Sequence, residues 1–350
     1  MSGKELKKMT DAGDWNGVIN YLASCKIVWH GKDAGFIFDS TQYQWRIVKH
    51  NPKRLVVEFI PKQSEAERAG YFLKVFLPQR NILKCGWRYA RKEYKFAVDL
   101  QNCEIPIIEY LAWGRFSGRG GVALSKAEAD AVSGREYFYR TARKNPELRR
   151  LFFEKFCDII NRLFVKKIFH PDFHSGNVIV LPNGEVKLVD PWNVHSIWFW
   201  TQRRLFRMCS VWYELRFVLT DEEIRDNLSA SIGALRQRQS EKIWHQALKY
   251  FEKIDTRRWK KLGRRILGGK SKFTTSHTDS TGTIFYWRNT YWYTPPEKYE
   301  INPLWNKLEL TGDNAQALWV NSFQNPIEPL PVLWIHRKNQ HDTLFFDEKK

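Results

Sequence analysis

Three oxygen-bearing side chains stand at offsets that could assemble one divalent-cation site. They are Asp172, Asn177 and Asp190, within the stretch FHPDFHSGNVIVLPNGEVKLVDPW at residues 169–192. Val178–Leu181 and Val186–Val189 are short apolar runs rich in β-branched residues. Pro182-Asn183-Gly184-Glu185 between them is a turn signal, because Asn-Gly accepts positive φ at little cost. The pattern predicts a hairpin. Its antiparallel strands would set Asn177, at the mouth of the first, beside Asp190, at the far end of the second. Asp172, five residues before Asn177, would sit on the loop leading in, placed to accept a proton from an attacking hydroxyl. Hard oxygen donors at one point suit Mg2+, which takes one or two carboxylates and fills its shell with water and substrate phosphates.

The elements that must position these residues begin well upstream. Gly35–Phe38, Trp45–Lys49, Leu55–Ile60 and Tyr71–Phe76 are short, β-branched or aromatic, and separated by turn chemistry, so each is expected to be a strand. The last of them (YFLKVF) holds Lys74 inside an apolar run, and burying that lysine is costly unless it meets an anion. Gly86–Leu100 reads as the next helix, with Glu93 near its middle as the carboxylate partner. Ile105–Trp113 and Gly121–Ser125 are expected to be two more strands, followed by a hinge near Leu124–Glu128. A short amphipathic helix over Asp14–Ala23 would pack on the back of this sheet. No G-x-G-x-x-G precedes Lys74; the basic turn Lys49–Arg54 is the nearest substitute, offering charge where bare amides would otherwise cover phosphates.

Arg135–Lys144 and Glu147–Lys167 read as helices, the second with Leu151, Phe152, Phe156, Ile159, Ile160 and Leu163 near helical spacing. It would deliver the chain to His170. Past Asp190, Ile197-Trp198-Phe199-Trp200 precede Arg203, Arg204 and Arg207. Aromatic residues beside arginines suit a lipid interface, a substrate groove, or a core stripe with solvated charges. Asp221–Leu235 and Ser240–Ile254 are two further helices by their Asp and Ser caps. The basic run Arg257–Lys272 is taken as a domain edge, beyond which Thr- and Trp-rich strands with several prolines replace helix signals.

With 57 Lys and Arg against 38 Asp and Glu, the net charge of +19 calls for an anionic partner: nucleic acid, anionic lipid or a phosphorylated glycan. No zinc-finger spacing, RNP signature or C-x-x-C supports specific nucleic-acid recognition. Five scattered cysteines, an odd number, argue against a disulfide framework and for a reducing compartment. The start, MSGKELKKMTDAGDW, has no apolar h-region, and no run reaches the roughly 18 apolar residues of a membrane span. These features lead to the expectation of a cytoplasmic chain, free or attached to a membrane surface.

Asp172, Asn177 and Asp190 follow the order of HRDxxxxN and DFG in protein kinases, and of HGDxHxxN…D in small-molecule phosphotransferases of kinase-like fold. Together with Phe72-Leu73-Lys74, Glu93 and the Ile-Pro segment leading to Ala112-Trp113-Gly114, the block His170–Asp190 resembles the lipopolysaccharide core kinase family, the Kdo/WaaP type, over roughly residues 40–215. The resemblance implies an α+β, bilobal protein-kinase-like fold. Its parts would be an N-terminal helical extension (1–30), a small antiparallel β lobe with one helix (31–125), a larger helical lobe (126–255) and a C-terminal, strand-rich extension (256–350). It implies ATP and Mg2+, and as acceptor a heptose or Kdo hydroxyl of the lipopolysaccharide inner core. The setting would be the cytoplasm, with the chain free or held peripherally at the inner face of the inner membrane. Carried over by position, Lys74 would contact the α- and β-phosphates, and Glu93 would orient it. Asp172 would be the base, and Asn177 and Asp190 would hold Mg2+. His170 would be the structural histidine of the loop, and His174 would stand where many kinases have a lysine for the γ-phosphate. Pro171 replaces the arginine that reads a phosphorylated activation loop, and Pro191-Trp192 replace the Phe and Gly of DFG. Both departures suit a small-molecule or glycan kinase better than a regulated protein kinase. Two alternatives stay open on the sequence: an aminoglycoside- or choline-kinase-like enzyme, and a catalytically inactive scaffold of the same fold.

Overall fold

In the computed structural model Asp14 caps the helix Trp15–Ser24, accepting the backbone N–H of Gly17 at 2.8 Å. The structure describes residues 14–31, 35–51, 54–62, 70–77, 85–116, 119–215, 219–232 and 240–267, the single residues 9 and 12, and the strand segments 274–279, 282–287, 306–310, 330–336 and 342–347. The chain is α+β and divides into two compact units, residues 1–134 with 158–200, and 135–157 with 201–350.

The first unit is built on helix α1 (Trp15–Ser24) and a six-stranded antiparallel sheet. Its strands are β1 (Val28–Gly31), β2 (Tyr43–Asn51), β3 (Arg54–Pro61), β4 (Tyr71–Phe76), β5 (Tyr110–Phe116) and β6 (Gly120–Lys126), in spatial order β1-β5-β6-β4-β3-β2. Along β3 burial alternates, so Leu55, Val57 and Phe59 point into a core that also takes Val18, Ile19, Tyr21 and Leu22 of α1 and Leu73 and Val75 of β4. The amphipathic helix therefore covers one face of the sheet, as its spacing predicts. Helix α2 (Gly86–Asn102) follows β4. At its start Gly86 and Gly121 let backbones touch: a Cβ on Gly121 would lie 2.3 Å from the Trp87 Cα, and one on Gly86 would lie 2.3 Å from the Phe76 carbonyl oxygen.

Three local expectations are corrected. Gly35–Phe38 is a turn of 3-10 helix, not a strand. Its aromatic, branched composition reports burial, with Ile37 1% exposed, while Asp39 closes the turn by accepting the Thr41 N–H and hydroxyl. Ile105–Ile108 lies outside the sheet. Pro106 has no N–H for a ladder; its carbonyl accepts the Leu188 N–H, and Ile108 donates to the Leu188 carbonyl, so the segment runs parallel to a downstream strand. And β1, read as part of a helical extension, pairs with β5 at the sheet edge, His30 stacking on Trp113 at 4.1 Å.

The remaining strands of this unit are short: β7 (Val132–Ser133), β8 (Ile168–Phe169), β9 (Val178–Val180), β10 (Val186–Leu188) and β11 (His195–Ser196). β9 and β10 form the expected hairpin, with Gly184 at φ +82° in its turn, and β7 adds a third strand beside β9.

The second unit contains most of α3 (Gly134–Arg140), the first half of α4 (Pro146–Val165), then α5 (Gln202–Glu214), α6 (Asp221–Ile232) and α7 (Ser240–Leu267). Phe153 and Phe156 each meet Trp212 edge-on at 5.3 Å, and the buried Trp212 indole donates to the Ser231 hydroxyl at 2.9 Å. The basic run expected to mark a domain edge continues α7 to Leu267, so the 255/256 boundary falls inside a helix. Beyond it lies a five-stranded antiparallel sheet of β12 (Thr274–Asp279), β13 (Gly282–Trp287), β14 (Asn306–Leu310), β15 (Leu330–His336) and β16 (Asp342–Asp347), in order β12-β13-β15-β16-β14.

Candidate active site

The whole candidate site lies in the first unit. Residues 170–177 form the loop between β8 and the hairpin, and hydrogen bonds fold it back on the loop after β10. The buried His170 pairs through Nε2 with the Asp190 carbonyl at 3.0 Å. A carbonyl only accepts, so Nε2 carries the proton. Burial pushes the imidazole pKa down to about 4, which keeps the ring neutral. Asn177 takes the Val189 N–H on its own carbonyl at 3.1 Å, which brings it beside the residue preceding Asp190. Its side-chain amide donates to the Asp172 carbonyl at 2.8 Å. That bond fixes which way the amide points and leaves Oδ1 as its acceptor.

Lys74 reaches this loop from β4. Its Nζ lies 2.5 Å from Glu93 Oε1 on α2 and 3.2 Å from Asp190 Oδ1, 116 residues further along. Glu93 is fully buried, and the same Oε1 accepts the Tyr110 hydroxyl at 2.7 Å; Oε2 bonds to none of the described residues. Burial disfavours the charged amine of Lys74, but the Glu93 and Asp190 carboxylates outweigh it, and its pKa is raised. Burial likewise opposes ionisation of Asp190, and Lys74 and then Arg54 overcome it, holding the carboxyl below its usual range. Burial, with the Glu93 charge, pushes the Tyr110 phenol well up, so it stays protonated and can donate to Glu93.

Arg54 opens β3, and its Nη1 is 3.8 Å from Asp190 Oδ2. On the paired strands Val56 faces Lys74, so Arg54, Val56 and Lys74 share the sheet face opposite the α1 core. Trp192 stacks on Phe76 of β4 at 6.3 Å and meets Tyr89 of α2 at 5.3 Å, tying the segment after Asp190 to both elements that carry the Lys74–Glu93 pair.

Asp172 presents its carboxylate outward, 62% exposed, with Oδ2 3.9 Å from His174 Nε2. The other ring nitrogen of His174 accepts the Gly176 N–H at 3.0 Å. Even a neutral His174 therefore carries its proton on Nε2, on the Asp172 side, and can donate there without being charged.

All six residues singled out from the sequence lie in this unit. Lys74 touches both Glu93 and Asp190, and Asp172, His174 and Asn177 sit on one hydrogen-bonded loop joined to the segment that carries Asp190. Tyr110 was missed, because a tyrosine in an apolar strand carries no signal until Glu93 is seen beside it. Arg54 was named only as part of a basic turn. In the expected hinge, the N–H groups of Lys126 and Ala127 are engaged by the Glu109 and Gly70 carbonyls. Among the described residues no three or more His, Cys, Asp or Glu side chains group around a metal-sized point. Asn177 and Asp190 offer oxygen donors alone, the donor chemistry that Mg2+ takes and that a structural zinc site does not use. Comparison with models of known protein families and with curated proteins finds no match.

Proposed function

We propose that this chain is an ATP-dependent phosphotransferase of protein-kinase-like fold that phosphorylates a hydroxyl of an anionic, sugar-bearing acceptor of the lipopolysaccharide inner-core type, a heptose or Kdo. The observation that carries the reading is the contact of the Lys74 amine with both Glu93, at 2.5 Å, and Asp190, at 3.2 Å. A half-buried lysine held between two carboxylates from distant elements is a cation kept charged and aimed, which is what nucleotide phosphates require.

In this reading Lys74 binds the phosphate oxygens and Glu93, itself held by Tyr110, keeps the amine in place. Asn177 and Asp190 would hold Mg2+, which when bound neutralises phosphate charge. Asp172, on the exposed side of the loop, takes the proton of the acceptor hydroxyl as its oxygen bonds to the γ-phosphorus. The bond to the β-phosphate oxygen breaks and ADP leaves. General-base help of this kind is worth about 10²–10⁴-fold. His174 donates from Nε2 to the transferred group. The packing of Trp192 against Phe76 and Tyr89 suits an enzyme that stays assembled.

The net charge of +19 supports an anionic acceptor. Contact with an anionic bilayer belongs to the same reading. Trp198 is 92% exposed and Phe199 66% exposed, and the Ile197 N–H donates to the Lys167 carbonyl at 2.8 Å, bringing exposed Val165, Lys166 and Lys167 alongside. Incubation of the purified chain with Mg2+, γ-labelled ATP and core lipopolysaccharide tests the assignment. Label is expected on a core sugar. Label recovered only in ATP or free phosphate would refute it.

A further inference from the structure

We propose that Arg54 contacts the nucleotide phosphates and takes over work that a glycine-rich loop does elsewhere; this rests on the nucleotide reading above. Glycine-rich loops hold phosphates with bare backbone N–H groups. This chain has no G-x-G-x-x-G before Lys74. Its β2 and β3 pair as far as Asn51 and Arg54, and of the two residues between, Pro52 has no N–H to offer.

A side chain on β3 is placed to supply donors. Arg54 stands on the same sheet face as Lys74, one strand away, and its guanidinium lies 3.8 Å from Asp190 Oδ2 while the Lys74 amine lies 3.2 Å from Oδ1. Two cations from neighbouring strands thus straddle the two oxygens of one carboxylate. Oxygens of adjacent phosphates present a similar anionic pair, and the planar fork of a guanidinium binds such oxygens in parallel. Arg54 is 22% exposed, enough to meet an arriving anion, while Asp190 keeps it aimed before one arrives. With nucleotide bound, Arg54 and Lys74 exchange part of their contact with Asp190 for phosphate.

Calorimetric titration of Mg·ATP and of adenosine into wild type, Arg54→Lys and Arg54→Ala tests this. Loss of a charge-assisted contact weakens binding by about 10- to 100-fold. Arg54→Ala is expected to lose that much affinity for Mg·ATP and none for adenosine, with Arg54→Lys in between. Thermal midpoints without nucleotide verify that each variant is folded. Equal Mg·ATP affinity in folded Arg54→Ala and wild type, or equal losses for ATP and adenosine, would overturn the role of Arg54 while leaving the nucleotide reading standing. A wild type that binds neither compound would overturn both.

Discussion

At the residue scale, the site is a set of ionisable groups whose charge states are fixed by their neighbours. His170 gives this a measurable consequence. Folded, its pKa is pushed from 6.5 to about 4 by burial; unfolded, it binds a proton near 6.5. Unfolding therefore takes up a proton between those values, and stability must fall as pH drops from about 6.5 towards 4, by roughly 3 kcal/mol in all. Asp190, held low by Lys74 and Arg54, adds its own loss only as pH falls below the ordinary 3.8. Urea unfolding at pH 7 and pH 4.5 should show most of the His170 loss in wild type. In His170→Gln, whose amide can still donate to the Asp190 carbonyl, the slope should flatten; an unchanged slope would mean other groups titrate there. Asp172, Asn177 and Asp190 were legible because one hairpin relates them, and Lys74 because a lysine in an apolar strand demands an anion. Arg54 and Tyr110 gain their meaning only from packing, which spacing along the chain does not report.

At the element scale, the Lys74–Glu93 contact depends on where α2 sits, and α2 sits where two glycines let it. An added Cβ at Gly121 would meet the Trp87 backbone at 2.3 Å, and backbone cannot swing aside as a side-chain tip can. Gly121→Ala should cost about 1–3 kcal/mol in chemical denaturation and reduce phosphoryl transfer by moving Glu93 away from Lys74. Full stability and full transfer in that variant would mean that α2 is positioned by other contacts. The sheet strands β2 to β4 were readable because turn chemistry bounds their short β-branched and aromatic runs. Gly35–Phe38 and Ile105–Ile108 were not, because apolar, β-branched composition marks burial without specifying conformation. The proline that seemed to lead a strand instead sends its carbonyl to the neighbouring hairpin.

At the scale of the whole molecule, charge and surface decide what the chain meets. Among the described residues no helix is long and apolar enough to cross a membrane. The exposed Trp198 and Phe199 beside Lys166 and Lys167 should bind vesicles containing anionic lipid and release them at high salt. Trp198→Ala with Phe199→Ala should weaken that binding while leaving Mg·ATP binding intact, and equal sedimentation of the double variant with the vesicles would place the lipid contact elsewhere. Strands in the C-terminal stretch were expected from its Thr- and Trp-rich composition. The two-unit division was not, because it joins segments distant in sequence: residues 158–200 belong with the first 134, and 135–157 with the last 150. The measurement that bears most directly on the central claim is calorimetric titration of ATP, with and without Mg2+, into the full chain and its Asp190→Asn variant. The account predicts Mg2+-dependent binding to wild type and loss of the Mg2+ dependence in folded Asp190→Asn. Mg2+-dependent binding of equal strength in both proteins, or no binding to either, would contradict it.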